Sequence, residues 1–319
     1  MGIAIILILY NFISGTACLI FGVKLLSIGL EKASSKAIEK FLSLSTKNIL
    51  FGFITGTLST AMIQSSTAVT VITVGLVNSG LMQLPQAMGI IYGANIGTTI
   101  TAHLISVNLT AFSMPVLILG IILWLFSHKH TSKNLSLSLI GFGFMLIGIC
   151  ILNSGIPYVK QNPLIYRILK TYGQNPFIAV LIGIITTMLL HSSSAAVGLT
   201  VVLFNAGLIN LDSAIGLMLG DNIGTCMTAQ LASIGMSIAA KRVAYAHTMY
   251  NVIGSIAVLC VLIPFRTTVE HITFALGHDK IMLVANAHTI FNVLSASVFL
   301  PITHYYIKFI EWLLPEQKR

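Results

Sequence analysis

The chain has 319 residues, 56% of them hydrophobic and only 8% charged, with seventeen Lys and Arg against eight Asp and Glu. A soluble domain carries about 25% charged residues, so this chain cannot cover a water-facing surface, and an all-α polytopic membrane protein is expected. The net charge of +9 does not call for nucleic acid as a partner, because the Lys and Arg sit almost wholly in connecting segments, where the positive-inside bias puts them. Apolar stretches of about 20 residues recur from end to end, long enough to cross the lipid bilayer as helices. Barrel strands would alternate polar and apolar residues, and these stretches do not. Cys18, Cys150, Cys226 and Cys260 all lie in apolar segments without metal-ligand spacing, so they read as buried thiols.

In chain order, the first expected span covers 3–30. It is too long for a cleavable signal, with Lys24 near its end, and reads as a retained helix. Residues 31–48, EKASSKAIEKFLSLSTKN, form a charged amphipathic helix, of the kind that lies in the membrane interface. Segment 49–79 is apolar but holds MIQSSTAVTV in its middle. Segment 84–107 holds GANIGTTIT, expected to interrupt the helix, and 111–127 closes the first unit. The same order then returns: a span at about 135–156, an amphipathic helix at 158–175, a Ser-rich segment 177–206 with LLHSSSAAVG, an interrupted segment 211–235 with GDNIGTCMT, and a span at 243–265. One more span, about 281–302, and a short tail complete the chain. Three parts are expected: residues 1–127, 128–265 and 266–319.

The recurrence is an internal repeat. Shifting the chain by 127 residues places Gln64 on His191, and from Gly56/Gly183 to Ser106/Ser233 the register holds without a gap, with 23 identities in 51 aligned pairs. Chance matching among apolar residues does not keep Asn78/Asn205, Gly80/Gly207 and the two NIGT blocks in step. Whether the halves are parallel or inverted turns on 49–79 and 177–206. Through-helices make the repeats parallel and re-entrant hairpins make them inverted, and the Lys and Arg bias fits either. Hairpins are favoured, because non-helical polar backbone at membrane depth is tolerated where it lines a cavity. Paired interrupted segments in two halves also mark a transporter binding site.

A hydroxyl or amide facing lipid is costly unless paired, and a lone Ser-Ser is ordinarily a packing feature, its hydroxyls bonded to the preceding turn. The same cluster twice, each followed about thirty residues later by Asn-Ile-Gly-Thr, points instead to a paired binding site. No Lys or Arg occurs between Lys47 and Lys129, or between Lys170 and Lys241. An anion bound there would be held by hydroxyls, amides and helix N-termini, and a hard cation such as Na⁺ would take side-chain and backbone oxygens. Asp221 is the one acid well inside an expected span, and such acids are functional candidates; helix capping is its bland reading. His247 and His288 each precede a Tyr-Asn or Phe-Asn pair by one helical turn, and interhelical hydrogen bonding is their expected role. As helical positions, Ser65 and Ser192 should accept Ala without loss of fold.

At these residues the chain resembles a known family. QSSTAVT, HSSSAAV, GANIGTTIT and GDNIGTCMT are similar to the duplicated QSS and GxNIGT motifs of the sodium-dependent inorganic phosphate cotransporters of type II. KRVAYAHTMYN at 241–251 and NAHTIFN at 286–292 resemble that family's His-x-x-Phe/Tyr-Asn segments. The resemblance implies two inverted repeats with hairpin tips at the QSS turns, and a short bacterial-type member without a PhoU-like domain. It also implies phosphate transport coupled to Na⁺, by alternating access in a plasma membrane, with no enzyme activity and no cofactor beyond the coupling ion. Carried over, the substrate would be bound by Gln64, Ser65, Ser66, Thr67, His191, Ser192, Ser193 and Ser194. Sodium would be bound by Gln64, Ser65, Asn95, Thr98, Ser192, Asn222 and Thr225, to which the intramembrane acid Asp221 is added on its own reading. One departure is His191, where the family has Gln. Transport of sulfate or a carboxylate on the same scaffold stays open, as does a membrane enzyme or signalling component, although a duplicated cluster suits a transporter better. Oligomeric state is not legible.

Overall fold

The computed structural model describes residues 2–45, 48–107 and 109–316, which hold thirteen α-helices. Clustering of contacts divides the chain into two compact units. One takes residues up to Ala33, Thr101–Asp221 and Leu262–His288; the other takes Ser34–Ile100, Asn222–Val261 and the chain from Thr289 on. Each unit draws on both sequence repeats, so compact units and repeats are different divisions of the same chain. Among the described residues, four helical segments are long and apolar enough to cross a membrane: Ala4–Ser34, His130–Gln161, Ile238–Cys260 and Lys280–Leu313. Two bent pairs, Leu84–Ser106 with Thr110–Phe126 and Pro163–Thr171 with Pro176–Leu190, raise the number to six if each is one span. Large apolar side chains such as Ile6, Leu125, Phe126, Phe177 and Leu189 are exposed, as suits a surface solvated by lipid.

The first unit is organised by α1 (Gly2–Ser45) and α6 (His130–Gln161). Gly15, Gly22 and Gly29 recur every seventh residue on α1, and Gly141, Gly148 and Gly155 do so on α6. A methyl group on Gly15 would meet Leu152 N at 2.9 Å, one on Gly22 would overlap Met145 N, and one on Gly29 would meet Asn134 O at 2.6 Å. Partner numbers fall as the α1 number rises, so the two helices run antiparallel, backbone against backbone. Lipid tails are as apolar as the helix faces, and association therefore relies on close packing at small residues. α5 (Ser113–Phe126) joins α6 in the same manner: a methyl on Gly120 would lie 2.8 Å from Ile140 N, and one on Gly143 2.8 Å from Leu117 Cα.

Both Ser-rich segments fold into two short helices joined at the motif. The first is α2 (Ile49–Ile63) and α3 (Ser66–Asn78); the second is α8 (Pro176–Leu190) and α9 (Ser193–Asn205). Asn48 starts α2, its side chain accepting from Phe51 N at 2.9 Å, and Asn175, its repeat mate, starts α8 by accepting from Phe177 N at 2.9 Å. Each hairpin then leads through a left-handed glycine, Gly80 (φ 73°) or Gly207 (φ 71°), into α4 (Leu84–Ser106) or α10 (Leu211–Ala232).

The same backbone contacts recur in both halves. Gly52 faces Gln86 O, Gly56 faces Ile90, Gly93 faces Phe53 O and Thr57 N, and Gly97 faces Thr57 O and Ala61 N. In the second half Gly183 faces Leu217 O, Gly216 faces Pro176 O, and Gly220 faces Val180 O and Ile184 N. Partner numbers rise together, so α2 runs parallel to α4, and α8 to α10. Because α4 begins beside the start of α2, α3 has to return along it: 49–78 is a hairpin with both ends at one level, and 176–205 repeats it. Helices of 13 and 15 residues are only about 20–22 Å long, short of the roughly 30 Å apolar core of a bilayer. In the second unit an aromatic column joins α4, α11 (Ile238–Cys260) and α13 (Leu283–Leu313), with ring centroids 4.7 Å apart for Tyr92–Tyr250, 4.9 Å for Tyr250–Phe299 and 5.0 Å for Phe299–Tyr306.

Several expectations need correcting. Residues 31–45 are not a separate interfacial helix but the continuation of α1, because EKASSKAIEKFLSLS contains no Gly or Pro to break it; the rest of that segment includes Thr46 and Lys47, outside the described residues. The second amphipathic segment does separate, as α7 (Pro163–Tyr172), started by Asn162 accepting from Ile165 N at 3.1 Å. The helices carrying NIGT are not broken: α4 and α10 pass straight through the motif. Their glycines serve close approach rather than a break, and among the described residues the positive-φ glycines are Gly80, Gly207, Gly235 and Gly277. An additional helix, α12 (Leu262–Ala275), precedes α13. Of the four thiols Cys226 is buried, Cys18 and Cys150 are half-buried, and Cys260 is exposed.

The seam generates a paired prediction. Gly22→Ala should lower the thermal midpoint in detergent, since overpacking costs about 1–3 kcal/mol and the clash is with backbone. Gly75→Ala, in α3 with nothing within 4 Å of the added methyl, should be neutral or slightly stabilising. Melting both against wild type checks it.

Candidate functional site

The hairpin tips are built alike. Gln64 ends α2 at φ 56°, ψ 32°, and His191 ends α8 at φ 49°, ψ 31°. They are the two non-glycine residues with positive φ among those described. The next residue is extended and caps the returning helix: Ser65 Oγ accepts from Ala68 N at 3.2 Å, and Ser192 Oγ accepts from Ala195 N at 3.3 Å. α3 and α9 thus begin at the tips, where unbonded first-turn N–H groups and the positive dipole end favour an anion. Ser66 and Ser194 are buried, Thr67 and Ser193 half-buried, and His191 exposed. The Gln64 amide donates to Ala61 O at 2.7 Å.

The capping role corrects the expectation that Ala would be harmless at 65 and 192. Ser→Ala at an N-cap costs about 0.5–2 kcal/mol, so loss of a ligand contact there is mixed with loss of a cap.

Each tip lies against its own half's NIGT segment. In the second unit, a methyl on Gly97 would meet Thr60 Cβ at 2.7 Å, one turn short of Gln64. In the first unit, Thr187, one turn short of His191, donates from Oγ1 to Asp221 Oδ1 at 2.9 Å. Asp221 is 2% exposed, so a carboxylate is held inside the helix packing by a hydroxyl.

The two NIGT segments are also tied together inside the second unit. Asn95 Nδ2 donates to Asn251 Oδ1 at 2.9 Å, Asn251 Nδ2 contacts Cys226 Sγ at 3.1 Å, and Cys226 Sγ donates to Asn222 O at 3.4 Å. α11 therefore bridges α4 and α10 through buried polar groups. Gln230 extends the bridge, donating to Thr248 Oγ1 at 2.7 Å and to Ala244 O at 3.0 Å. Thr98 bonds back to Ala94 O at 3.0 Å, and Thr225 is half-buried.

Two assignments from sequence change. His247 is buried with no hydrogen-bond partner on either ring nitrogen, so its side chain makes no interhelical bond; that of Asn251, one turn on, makes it instead. Thr187 was overlooked, although its identity with Thr60 in the repeat register was visible. Cys226, read only as a buried thiol, is a link in the polar bridge.

The family model for the Na⁺/Pi-cotransporter matches residues 18–154 and 159–278. The chain belongs to the Na⁺/Pi-cotransporter family. It is 32% identical over 309 residues to the uncharacterized protein YqeW of Bacillus subtilis (strain 168), covering 95% of this chain and 98% of that one. It is 26% identical over 311 residues to YjbB of Escherichia coli (strain K12), named as a candidate inorganic phosphate export protein. That match covers 98% of this chain but only 56% of YjbB, so the chain spans little more than half of that relative. Human sodium-dependent phosphate transport protein 2B is 35% identical over 107 residues, 33% of this chain and 15% of that protein. No solved structure matches the chain. As a member of this family the chain is a multi-pass membrane transporter and not an enzyme, and for a bacterial member the membrane is the plasma membrane.

Left-handed backbone costs a non-glycine residue roughly 1–2 kcal/mol, a cost that Gly avoids. Gln64 and His191 therefore hold their places in this transporter against a local stability gradient. Gln64→Gly and His191→Gly should keep or raise the thermal midpoint while lowering transport. Melting curves and flux in reconstituted vesicles check both halves of that expectation.

Proposed function

We propose that this transporter couples Na⁺ to the movement of inorganic phosphate by alternating access, with binding residues at each hairpin tip. The observation that carries the reading is the matched pair of tips. In each, a polar left-handed residue and a capping serine precede a helix N-terminus lined by hydroxyls. Such a tip offers N–H and O–H donors to a phosphate without a fixed positive charge, and the chain has no Lys or Arg from 48 to 128 or from 171 to 240. An anion held by neutral donors can be released again. Phosphate would be bound by Gln64, Ser65, Ser66, Thr67, His191, Ser192, Ser193 and Ser194. Sodium would take oxygens from Gln64, Ser65, Asn95, Thr98, Ser192, Asp221, Asn222 and Thr225, offsetting the anion's charge. The hairpins are read as re-entrant and the repeats as inverted. In support, both hairpins are too short to span, and α1 and α6, the first helices of the two repeats, run antiparallel.

The test is radiolabelled phosphate flux in proteoliposomes. An imposed Na⁺ gradient should drive phosphate accumulation, and a K⁺ gradient of the same size should not. Sulfate or a carboxylate competing at lower concentration than phosphate would instead favour the other-anion reading.

His191 gives a second test of the tip residues. Neutral imidazole offers one donor and one acceptor, as an amide does. His191→Gln should therefore keep phosphate half-saturation close to wild type, and His191→Leu, which offers neither, should raise it. Equal half-saturation in all three proteins would remove His191 from the binding residues.

A further inference from the structure

The two halves share a framework along the hairpin and the helix beside it, and differ at a buried position that carries an ionisable group in one half only. Thr60 and Thr187 are equivalent in the register of 127, as are Ala94 and Asp221. The framework around both pairs is the same, since Gly56 meets Ile90 as Gly183 meets Leu217, and Gly93 meets Phe53 as Gly220 meets Val180. Thr187 Oγ1 donates to Asp221 Oδ1 at 2.9 Å, with both residues 2% exposed. In the other half Thr60 keeps the hydroxyl, but alanine stands where the carboxylate would be. Thr60 Oγ1 and its neighbour Ser59 Oγ are buried and make no hydrogen bond. A helical Thr commonly bonds back to its own preceding turn, so a buried hydroxyl that does not is polar capacity kept for something else.

We infer that the halves divide the charge unequally: the Thr187–Asp221 pair is the one charged cation position, Thr187 is its positioning residue, and Thr60–Ser59 is its uncharged counterpart. This rests on the coupled-transport reading above. A carboxylate beside a hydroxyl is an all-oxygen donor set, which suits a hard cation. Neither the second hairpin nor α10 contains Lys or Arg. Arg266, from α12, is bound to Asp212 at 3.0 Å, nine residues and about 13 Å along α10 from Asp221. Thr187 acts through Asp221: its O–H, bonded to Oδ1, fixes the carboxylate rotamer in which the group would meet the ion.

The test uses the full chain in proteoliposomes, with Na⁺ as the probe and phosphate flux as the readout. Thr187→Val should raise the Na⁺ concentration for half-maximal flux about ten-fold or more, the loss of one hydrogen bond to a charged group, and leave phosphate half-saturation within about two-fold. Thr187→Ser should restore it. In an Asp221→Asn background Thr187→Val should add nothing further. Moving the charge, in Ala94→Asp combined with Asp221→Ala, should recover part of the Na⁺ dependence lost in Asp221→Ala alone. An equal rise in both half-saturations, or additive effects of the two substitutions, would overturn the inference. If a variant carries no flux, Na⁺-dependent thermal stabilisation of the purified protein, with choline as control, decides in the same way. Wild type that ignores Na⁺ in both assays overturns the coupling reading; wild type that responds while Thr187→Val and Asp221→Asn match it overturns this inference alone. Flux driven by a proton gradient with the same Thr187 and Asp221 dependence keeps the pair and changes only its ion.

Discussion

In a bilayer the helices of this protein gain little by leaving lipid for one another, and that absence of a hydrophobic pull governs the architecture. Contact has to come from short-range dispersion and from backbone groups brought within reach, which requires that side chains be removed. Gly15, Gly22 and Gly29 on α1, with Gly141 and Gly148 on α6, do this over several turns. Gly89, Gly93 and Gly97 on α4, and Gly216 and Gly220 on α10, do it for the hairpins. Take those methyl-free faces away and the tips have nothing to fix their depth. The serines and amides of the tips are functional in prospect only because glycines elsewhere hold each tip beside its own half's NIGT segment.

The polar content of the interior follows from the same constraint. Once backbones are this close, a buried side chain must be small, and its hydrogen bonds must be found within the bundle. Asn95, Asn251, Cys226 and the Asn222 carbonyl satisfy that by forming a chain across three helices. Thr187 and Asp221 satisfy it as a pair. The aromatic column from Tyr92 to Tyr306 fills the remaining space where glycine is absent, and closes on the backbone through Tyr306 Oη donating to Ala246 O at 2.6 Å.

Much of this was legible in the chain itself. The tip residues were readable because a repeat of fixed register shows them twice: Gln64 with His191, Ser65 with Ser192, Gly80 with Gly207. What the sequence did not disclose was the work of glycine. In GANIGT and GDNIGT it reads equally as a helix break or as a packing face, and only the neighbour decides; here Phe53 and Val180 carbonyls take the space, and the helices run on. The continuation of α1 past residue 31 was missed for a related reason, since charge suggested an interface while the absence of any breaker allowed the helix to continue. Thr187 escaped notice because a threonine in an apolar helix has no signature until its partner, 34 residues away, is seen.

The α1–α6 seam has a consequence for temperature. Contacts driven by water release weaken on cooling and leave a large heat-capacity change when broken. A seam made of backbone atoms meeting in lipid releases little water when it forms, so its formation carries little of that heat-capacity change.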